Sequence, residues 1–406
     1  MDSRRVVPHA AAGLATVAIL VATLLPAGSH IAAAHGTRWQ SHPFSLADFL
    51  RNVILFAPLG VSLAWSRLAA RRALVLVALL SLGIELAQGA IPIPGRDASA
   101  SDWIANVAGA ALAIALFQTA PAWMHPSPSR RWRLALVAGA GAVAVLVGTG
   151  VLFAPAPTVA VYFGHHTPSL EHLAPYDGTV LEAAIDDIEI PHGWLSTSDR
   201  IRARLVGDYA LRVRARSGSP PDELAALLLI TDVANNEILL LGPDRDDLVY
   251  RFRSRSEPLG LENATVRLPG VLARIGSGHT LSLRVEHSAN DLCFEVDRDV
   301  ECGHGFTVGD GWLLLAPDYR FLARWRPTLG AAWLAALFLP LGYWGRSGAA
   351  DAAAWAAAAS ALLLVPLALP LRSTPVSQIA GAGFGALLGM AARRRFTAPS
   401  PAGPRA

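Results

Sequence analysis

Lysine is missing from this chain, so all 34 residues counted as lysine plus arginine are arginines. Enzymes that form a Schiff base with their substrate need a lysine amine, and phosphate-cradling nucleotide loops need a lysine ammonium group. The absence of lysine therefore excludes both classes.

Cysteine is nearly absent as well, since Cys293 and Cys302 are the only two in 406 residues. Two thiols are too few for a zinc cluster of cysteines. The pair fits either a disulfide, which persists in an oxidising compartment, or two buried free thiols. The sequence leaves both alternatives open.

Charged residues are scarce, at 16% of the chain against 53% hydrophobic residues, and the mean hydropathy is +0.39. This composition, with repeated apolar runs of bilayer length, is typical of a polytopic membrane protein. The net charge of +3 does not indicate nucleic-acid binding, because the arginines cluster at the ends of apolar runs. We expect the lipid bilayer as a partner, no nucleic acid and no cofactor.

Eight apolar runs are long enough to predict transmembrane helices. They cover about residues 6–25, 46–65, 73–90, 102–117, 134–153, 327–344, 351–370 and 376–392. Five of them form a predicted membrane domain at 1–154. The other three form a C-terminal membrane segment at 326–395, followed by a disordered tail at 396–406.

Residues 155–325, between these membrane parts, have a different pattern. Short segments of alternating apolar and polar residues recur between clusters of turn formers. Many strands with no helix among them predict an inserted all-β sandwich of jelly-roll type. In segments 211–216 and 248–255 arginine alternates with apolar residues, so we expect an arginine face towards water or a ligand.

The arginine positions predict the orientation of the spans. With a cytoplasmic N terminus, the arginine clusters at span ends all lie inside, as the positive-inside rule requires. These clusters are Arg4 with Arg5, Arg67 with Arg71 and Arg72, Arg130 with Arg131 and Arg133, Arg346, and Arg393 with Arg394 and Arg395. We therefore expect both termini in the cytoplasm and the β-domain outside.

Six polar residues interrupt the apolar runs between residues 48 and 106. They form three pairs, each spaced for one helix face: Asp48 with Asn52, Glu85 with Gln88, and Asp102 with Asn106. A carboxylate at the centre of a membrane helix costs about 2.5–3.5 kcal/mol, so such residues usually face the bundle interior and mark a functional site. The predicted orientation places all six within about 9 Å of the outer surface. Arg96 lies in the loop above them.

A weak internal repeat accompanies this stretch. LFAPLG at 55–60 matches LFLPLG at 337–342, and ANVAGAALA at 105–113 resembles AGAGFGALL at 380–388. In the second copy Gly330 and Leu334 align with Asp48 and Asn52, so the polar set is missing there. The pattern fits a duplicated membrane core with one functional half, or the compositional bias of alanine-rich spans.

The stretch at 46–118 resembles the VanZ-like membrane family. The shared pattern is D-x3-N-x3-F-x-P-L-G, then E-x2-Q, an arginine-bearing loop, and D-x3-N-x2-G. Here it consists of Asp48, Asn52, Phe56, Pro58, Leu59, Gly60, Glu85, Gln88, Arg96, Asp102, Asn106 and Gly109. The family takes its name from a protein that confers teicoplanin resistance, so the resemblance implies a role in the cell envelope but no established reaction.

The middle region is similar, around 237–255, to concanavalin A-like domains of the LamG, jelly-roll type, which implies glycan binding. The VanZ resemblance and the lysine-free composition together imply a multi-pass protein of the bacterial cytoplasmic (inner) membrane. The inserted domain and the extra spans depart from a minimal family member, so a role specific to teicoplanin does not follow.

Three functions remain open for the polar cluster. In the first, it binds a lipid-linked or amphiphilic ligand, for example a lipid-linked cell-wall precursor, at the outer leaflet, and the sandwich binds glycan or a partner. In the second, an intramembrane enzyme uses Glu85 or Asp102 as general acid or base, and Arg96 holds a phosphate or carboxylate of a lipid substrate. In the third, the hydrogen bonds only hold the helices together. We favour the first.

Metal sites are not expected. The run GPDRDD contains Asp244, Asp246 and Asp247, which could hold calcium in a concanavalin-like domain. A solvated turn is the better interpretation, because Arg245 lies among the acids and aspartate is common in turns. The loop histidines His30, His35 and His42 fit no zinc spacing.

Overall fold

The computed structural model describes residues 3–25, 45–91, 93, 98–170, 173–288, 290–316, 318, 320–345 and 349–397. The chain divides into two compact units. The first comprises residues 1–127 with 259–261, and the second comprises residues 128–258 with 262–406.

The first unit is helical. Its helices are α1 (Ser3–Leu24), α2 (Leu46–Trp65), α3 (Ala70–Ala90), α4 (Ala100–Gln118) and the short α5 (Ala120–Met124). A helix satisfies its own backbone hydrogen bonds, which is why apolar runs of this length can cross a bilayer as helices. The side chain of Ser45 caps α2 by accepting a hydrogen bond from the Asp48 N–H at 3.1 Å.

The second unit combines helices with a β-sandwich. Its helices are α6 (Pro128–Phe153), α7 (Ser198–Leu205), α8 (Arg320–Ala323), α9 (Arg326–Trp344), α10 (Ala349–Ala368) and α11 (Val376–Thr397). The sandwich lies in sequence between α6 and α9. α7 was not predicted, because it has only eight residues and half of them are charged.

Six helices within the described residues are long and apolar enough to span a membrane, not the predicted eight. They are α1, α2, α3, α4, α6 and α10. α9 and α11 form where the sixth and eighth spans were predicted, but they are less apolar. α9 begins at Arg326 and ends on tyrosine and tryptophan, and α11 is rich in glycine and ends in arginines. The membrane-protein class stands, and the count of eight is wrong.

The predicted β-sandwich is confirmed as two six-stranded antiparallel sheets. Its strands are β1 (Tyr162–His166), β2 (Thr179–Ile185), β3 (Ile188–Glu189), β4 (Gly193–Leu195), β5 (Tyr209–Arg216), β6 (Leu228–Asp232), β7 (Glu237–Asp244), β8 (Asp247–Phe252), β9 (Ala264–Leu268), β10 (Thr280–Ser288), β11 (Asp291–Val296) and β12 (Asp299–His304). The order is β4-β1-β6-β7-β8-β9 in one sheet and β12-β11-β10-β5-β2-β3 in the other. One large apolar core fills the space between the sheets.

The arginine face was predicted correctly for β5 and wrongly for β8. In β5, Leu211 and Val213 are buried while Arg212 and Arg214 are exposed, as a half-buried strand requires. β8 is buried on both faces, because Val249 joins a second apolar cluster on the outer side of its sheet. Arg251 at the end of β8 is accordingly only 19% exposed and pairs with Glu237.

Cys293 of β11 and Cys302 of β12 are joined by a disulfide, and no free cysteine is present in the described chain. The two strands pair directly, with a register shift between Leu292 and Phe294. The bridge therefore ties the last strand of the second sheet to its neighbour.

Candidate functional site

The candidate site begins with Glu85 on α3. Glu85 is only 2% exposed, and it lies in a helix that is long and apolar enough to cross a membrane. The Ser99 backbone N–H donates a hydrogen bond to Glu85 Oε2 at 2.7 Å, and the charge of Asp102 on α4 acts on that of Glu85. The α3–α4 loop end and the first turn of α4 thus converge on one buried carboxyl group.

Asn106, one turn further along α4, is also 2% exposed. Its Nδ2 donates to Ser81 Oγ on α3 at 3.0 Å, and its Oδ1 is buried without a hydrogen-bond partner among the described residues. An unsatisfied buried acceptor costs about 1–3 kcal/mol. Asn106 Oδ1 is therefore available to accept a hydrogen bond from an amide, a hydroxyl group or a water molecule.

Gln88 extends the cluster to α1. Its Nε2 donates to the carbonyl oxygen of Thr23 at 2.9 Å. Sequence reasoning did not include α1 in the predicted core. The contact means that the unit around the site has four helices, α1 to α4.

Asp48 is more peripheral than predicted. Its side chain is 56% exposed and forms an ion pair with Arg51, three positions further along the same helix. Asn52 is half-buried on α2. The structure therefore brings Glu85, Asp102 and Asn106 together across α3 and α4, while Arg96 lies outside the described residues.

Close packing of α2 on α4 explains two glycines of the predicted motif. A Cβ on Gly109 would overlap the backbone of Val53, and a Cβ on Gly60 would overlap the backbone of Ala110. Small residues of this kind let membrane helices approach closely. Asn52 is the residue before Val53. The contact between Val53 and Gly109 therefore fixes the position of the Asn52 backbone relative to α4.

Three partners were missed by sequence reasoning: Ser81, Ser99 and Thr23. Ser81 had a readable signal, because it lies four residues before Glu85 and so shares its helix face. Ser99 and Thr23 contribute backbone groups, which the residue type does not reveal.

The acidic run in the sandwich binds arginine. Arg267 pairs with both Asp244 and Asp247, and Arg320 donates two hydrogen bonds to Asp247, at 2.8 and 3.1 Å. Burial by itself would raise the pKa of Asp247, but the hydrogen bonds from Arg320 and from the Gly270 N–H hold it below its ordinary value. Within the described residues, no group of three or more His, Cys, Asp or Glu is arranged to hold a metal ion.

A cleft of about 620 Å³ lies on the outer face of the second sheet. Arg212, Arg284, Glu182 and Glu295 are among its lining residues. Arg212 and Arg284 are directly opposite each other on β5 and β10, and Glu295 is opposite Arg284 on β11. Guanidinium and carboxylate groups therefore lie side by side on this surface.

Of the comparisons with known proteins, one gives a match. Neither a curated protein nor a solved structure matches the chain. A family model, VanZ/LLP1, matches residues 14–121, or 108 of the 406 residues. This range begins within α1 and includes α2, α3 and α4, so the four-helix part of the chain that carries the candidate site is VanZ-like.

Proposed function

We propose that the protein acts in the bacterial cell envelope and binds a lipid-linked ligand through the cluster of Glu85, Asp102 and Asn106. The observation that carries the proposal is Glu85, a carboxyl group buried in an apolar helix. Among the described residues, which omit 94–97, no arginine pairs with it. Such a group is costly in lipid and is usually retained for function.

The chemistry of the cluster supports a ligand with hydrogen-bond donors. Glu85 and Asn106 Oδ1 both offer acceptor oxygens, and amide or hydroxyl groups of a headgroup would satisfy them. Lipid-linked cell-wall precursors and glycolipids carry such groups. Asp48, Asn52, Gln88 and Arg96 complete the proposed ligand-binding set at the outer leaflet.

The sandwich is proposed to bind the glycan part of an envelope ligand. Its cleft presents both guanidinium and carboxylate groups, which can donate to and accept from sugar hydroxyls. The VanZ-like match supports an envelope role and, by likeness to the family's eponym, a link to resistance against teicoplanin-type glycopeptides.

The alternative is an intramembrane enzyme that acts on a lipid-linked or phospholipid substrate. The proximity of Asp102 to Glu85 favours it, since two neighbouring carboxyl groups can divide the roles of general acid and base. An enzyme would convert its lipid, whereas a binding protein would only retain it.

The test replaces Glu85 with Gln, which keeps the shape and the acceptor for Ser99 but removes the charge. We expect normal abundance in the membrane and at least a tenfold loss of lipid-linked species that co-purify with the protein, as measured by mass spectrometry. Ser62→Ala is the matched control, because Ser62 is a buried polar residue of α2 that bonds only locally, to the Pro58 carbonyl oxygen at 2.8 Å.

The outcomes separate the alternatives. Unchanged co-purified lipid in the Glu85→Gln protein would contradict ligand binding, and collapse of abundance would assign Glu85 a structural role. A chemically converted lipid in cells with the wild-type protein would favour the enzyme. Spectra of the co-purified species without sugar fragments would remove the glycan part of the proposal.

A further inference from the structure

The helix pair α2–α4 recurs as the pair α9–α11. In the first pair Gly60 lies against Ala110 and Gly109 against Val53. In the second pair Gly342 lies against Ala386 and Gly385 against Ala335. The LFxPLG match pairs Gly60 with Gly342 and, at the same offset, Val53 with Ala335. Both of these close contacts in the first pair thus have a counterpart in the second.

These contacts correct the register predicted from sequence. The alignment of 105–113 with 380–388 places Gly109 opposite Phe384. Since Gly109 and Gly385 make the equivalent contact, the second copy is shifted by one residue. Asp102 then corresponds to Gln378, and Asn106 to Ala382.

The sandwich interrupts the second copy at a defined place. α1 packs on α2 in the first unit, and α6 packs on α9 in the second. The whole sandwich lies in sequence between α6 and α9, at the position of the α1–α2 connection. Its last segment, residues 305–314, leads back to the helices.

Gln378 is the one polar side chain kept at the four positions that correspond to Asp48, Asn52, Asp102 and Asn106. It is 3% exposed. Its Nε2 donates to Thr307 Oγ1 at 2.7 Å, and its Oε1 accepts from the Gly309 N–H at 3.2 Å. A Cβ on Gly309 would overlap the Gln378 side-chain amide, which would have to move away from its present position.

Asp310, in the same segment, is also buried, at 2% exposure. It accepts hydrogen bonds from the Thr307 N–H and hydroxyl, both at 2.8 Å. Arg326 at the start of α9 donates to both of its carboxylate oxygens, at 3.0 and 2.9 Å. The Arg326 guanidinium also donates to the Gly305 carbonyl and lies over the Phe306 ring.

We propose that Thr307, Asp310, Arg326 and Gln378 form a buried lock that fixes the β-sandwich to the second copy of the helix pair. In this copy, residues 305–310 fill the place that corresponds to the polar site of the first copy. The second copy therefore serves as the attachment site of the sandwich and not as a second ligand site. The lock does not depend on the proposed function of the first copy.

Hydrogen exchange on the intact chain in lipid nanodiscs tests the lock. Asp310→Asn leaves the half-buried Arg326 beside a neutral partner, and we expect the amides of residues 303–311 to exchange at least tenfold faster than in wild type. Asp310→Asn combined with Arg326→Met should restore part of the protection, because removing both members of a buried pair costs less than removing one.

Gln378→Leu gives a second measurement that leaves the ion pair intact. It removes both hydrogen bonds to the sandwich segment at little change in volume, so the same amides should exchange faster while the lipid co-purified with the first copy stays at the wild-type level. Asp199→Asn is the control, because Asp199 is 92% exposed and pairs with Arg202 on the sandwich surface. If residues 303–311 exchange at the wild-type rate in both Gln378→Leu and Asp310→Asn, the proposed lock is wrong. If the Asp310→Asn protein does not accumulate, the exchange rate in Gln378→Leu alone tests the proposal.

Discussion

His287 is a titratable side chain in the core of the sandwich. The residue is 6% exposed, its ring stacks on that of Tyr209 with centroids 4.9 Å apart, and its Nδ1 lies 3.4 Å from the Tyr250 hydroxyl. Burial lowers its pKa from 6.5 to about 4, against the opposing effect of Asp208. The folded protein therefore keeps this histidine neutral at a pH where the unfolded chain binds a proton.

Acid should therefore destabilise the sandwich through His287. The contribution of neutral His287 to the free energy of unfolding is fully present above about pH 6.5. It is lost as the pH falls towards about 4, because the unfolded state takes up the proton first. At about 1.4 kcal/mol per pKa unit the loss is on the order of 3 kcal/mol. Thermal unfolding of the solubilised chain between pH 7 and pH 4 measures it.

Two variants make this measurement specific. His287→Phe should flatten the fall in stability over this pH range relative to wild type. Tyr209→Phe, which loses the hydrogen bond between the Tyr209 and Tyr250 hydroxyls, should lower stability but keep the wild-type pH slope. An unchanged slope in His287→Phe would show that other groups cause the acid sensitivity.

At the candidate site, the sequence predicted which polar residues of α3 and α4 are buried, but not which groups each of them contacts. Glu85 and Asn106 are buried as expected for intramembrane polar residues, since helical spacing places them on inward faces. Asp48 is exposed beside Arg51, because the start of a helix lets a charged side chain reach solvent. The Ser99 contact depends on the path of a loop, which side-chain pattern does not specify.

At the scale of helices, the α2–α4 contact depends on the absence of a side chain at Gly109. A methyl group there would overlap the Val53 backbone. We expect Gly109→Ala to lower stability by about 1–3 kcal/mol, the usual range for overpacking. Unfolding of the detergent-solubilised chain by denaturant measures the change.

Gly83 provides the matched control. It lies on α3 with no heavy atom within 4 Å of an added Cβ. Gly83→Ala should leave stability unchanged or raise it slightly, because alanine favours the helix by about 1 kcal/mol over glycine. Equal effects of the two substitutions would contradict the packing explanation.

Elements with a strong local pattern were predicted well. α2 begins and ends at the residues of the predicted span, because an apolar run follows a capping serine. β1 and β4 lack such a pattern. β1 is Tyr-Phe-Gly-His-His and β4 has three residues, and neither alternates in the way that indicates a half-buried strand; tertiary pairing alone makes them strands.

At the scale of the whole molecule, the sequence indicated a duplication but not its consequence. LFxPLG survives in both copies because its glycine is needed wherever two such helices touch. The alignment of the other helix slipped by one residue, since alanine-rich sequence matches itself in several registers. The hydrogen bonds from Gln378 to the segment that ends the sandwich are visible only in the structure.

The arginines predict an orientation of the chain in the membrane, and this prediction is open to a direct test. Arginine clusters follow α2, open α6 and end α11, and each would face the cytoplasm if the N terminus does. To bind an envelope glycan, the sandwich must lie on the side of the membrane opposite the cytoplasm. The Cys293–Cys302 disulfide of the sandwich agrees with that side, because disulfides persist in an oxidising compartment. The two native cysteines are bonded to each other, so an introduced cysteine is the sole target for a thiol reagent.

Val206→Cys and Ser129→Cys report the two sides. Val206 is 62% exposed on the sandwich, and Ser129 is exposed in the first turn of α6 beside Arg130. In cells with an intact cytoplasmic membrane, a membrane-impermeant maleimide should label the cysteine at 206 and should reach that at 129 only after permeabilisation. The reverse pattern would place the sandwich in the cytoplasm and would remove the sandwich from the proposed envelope function.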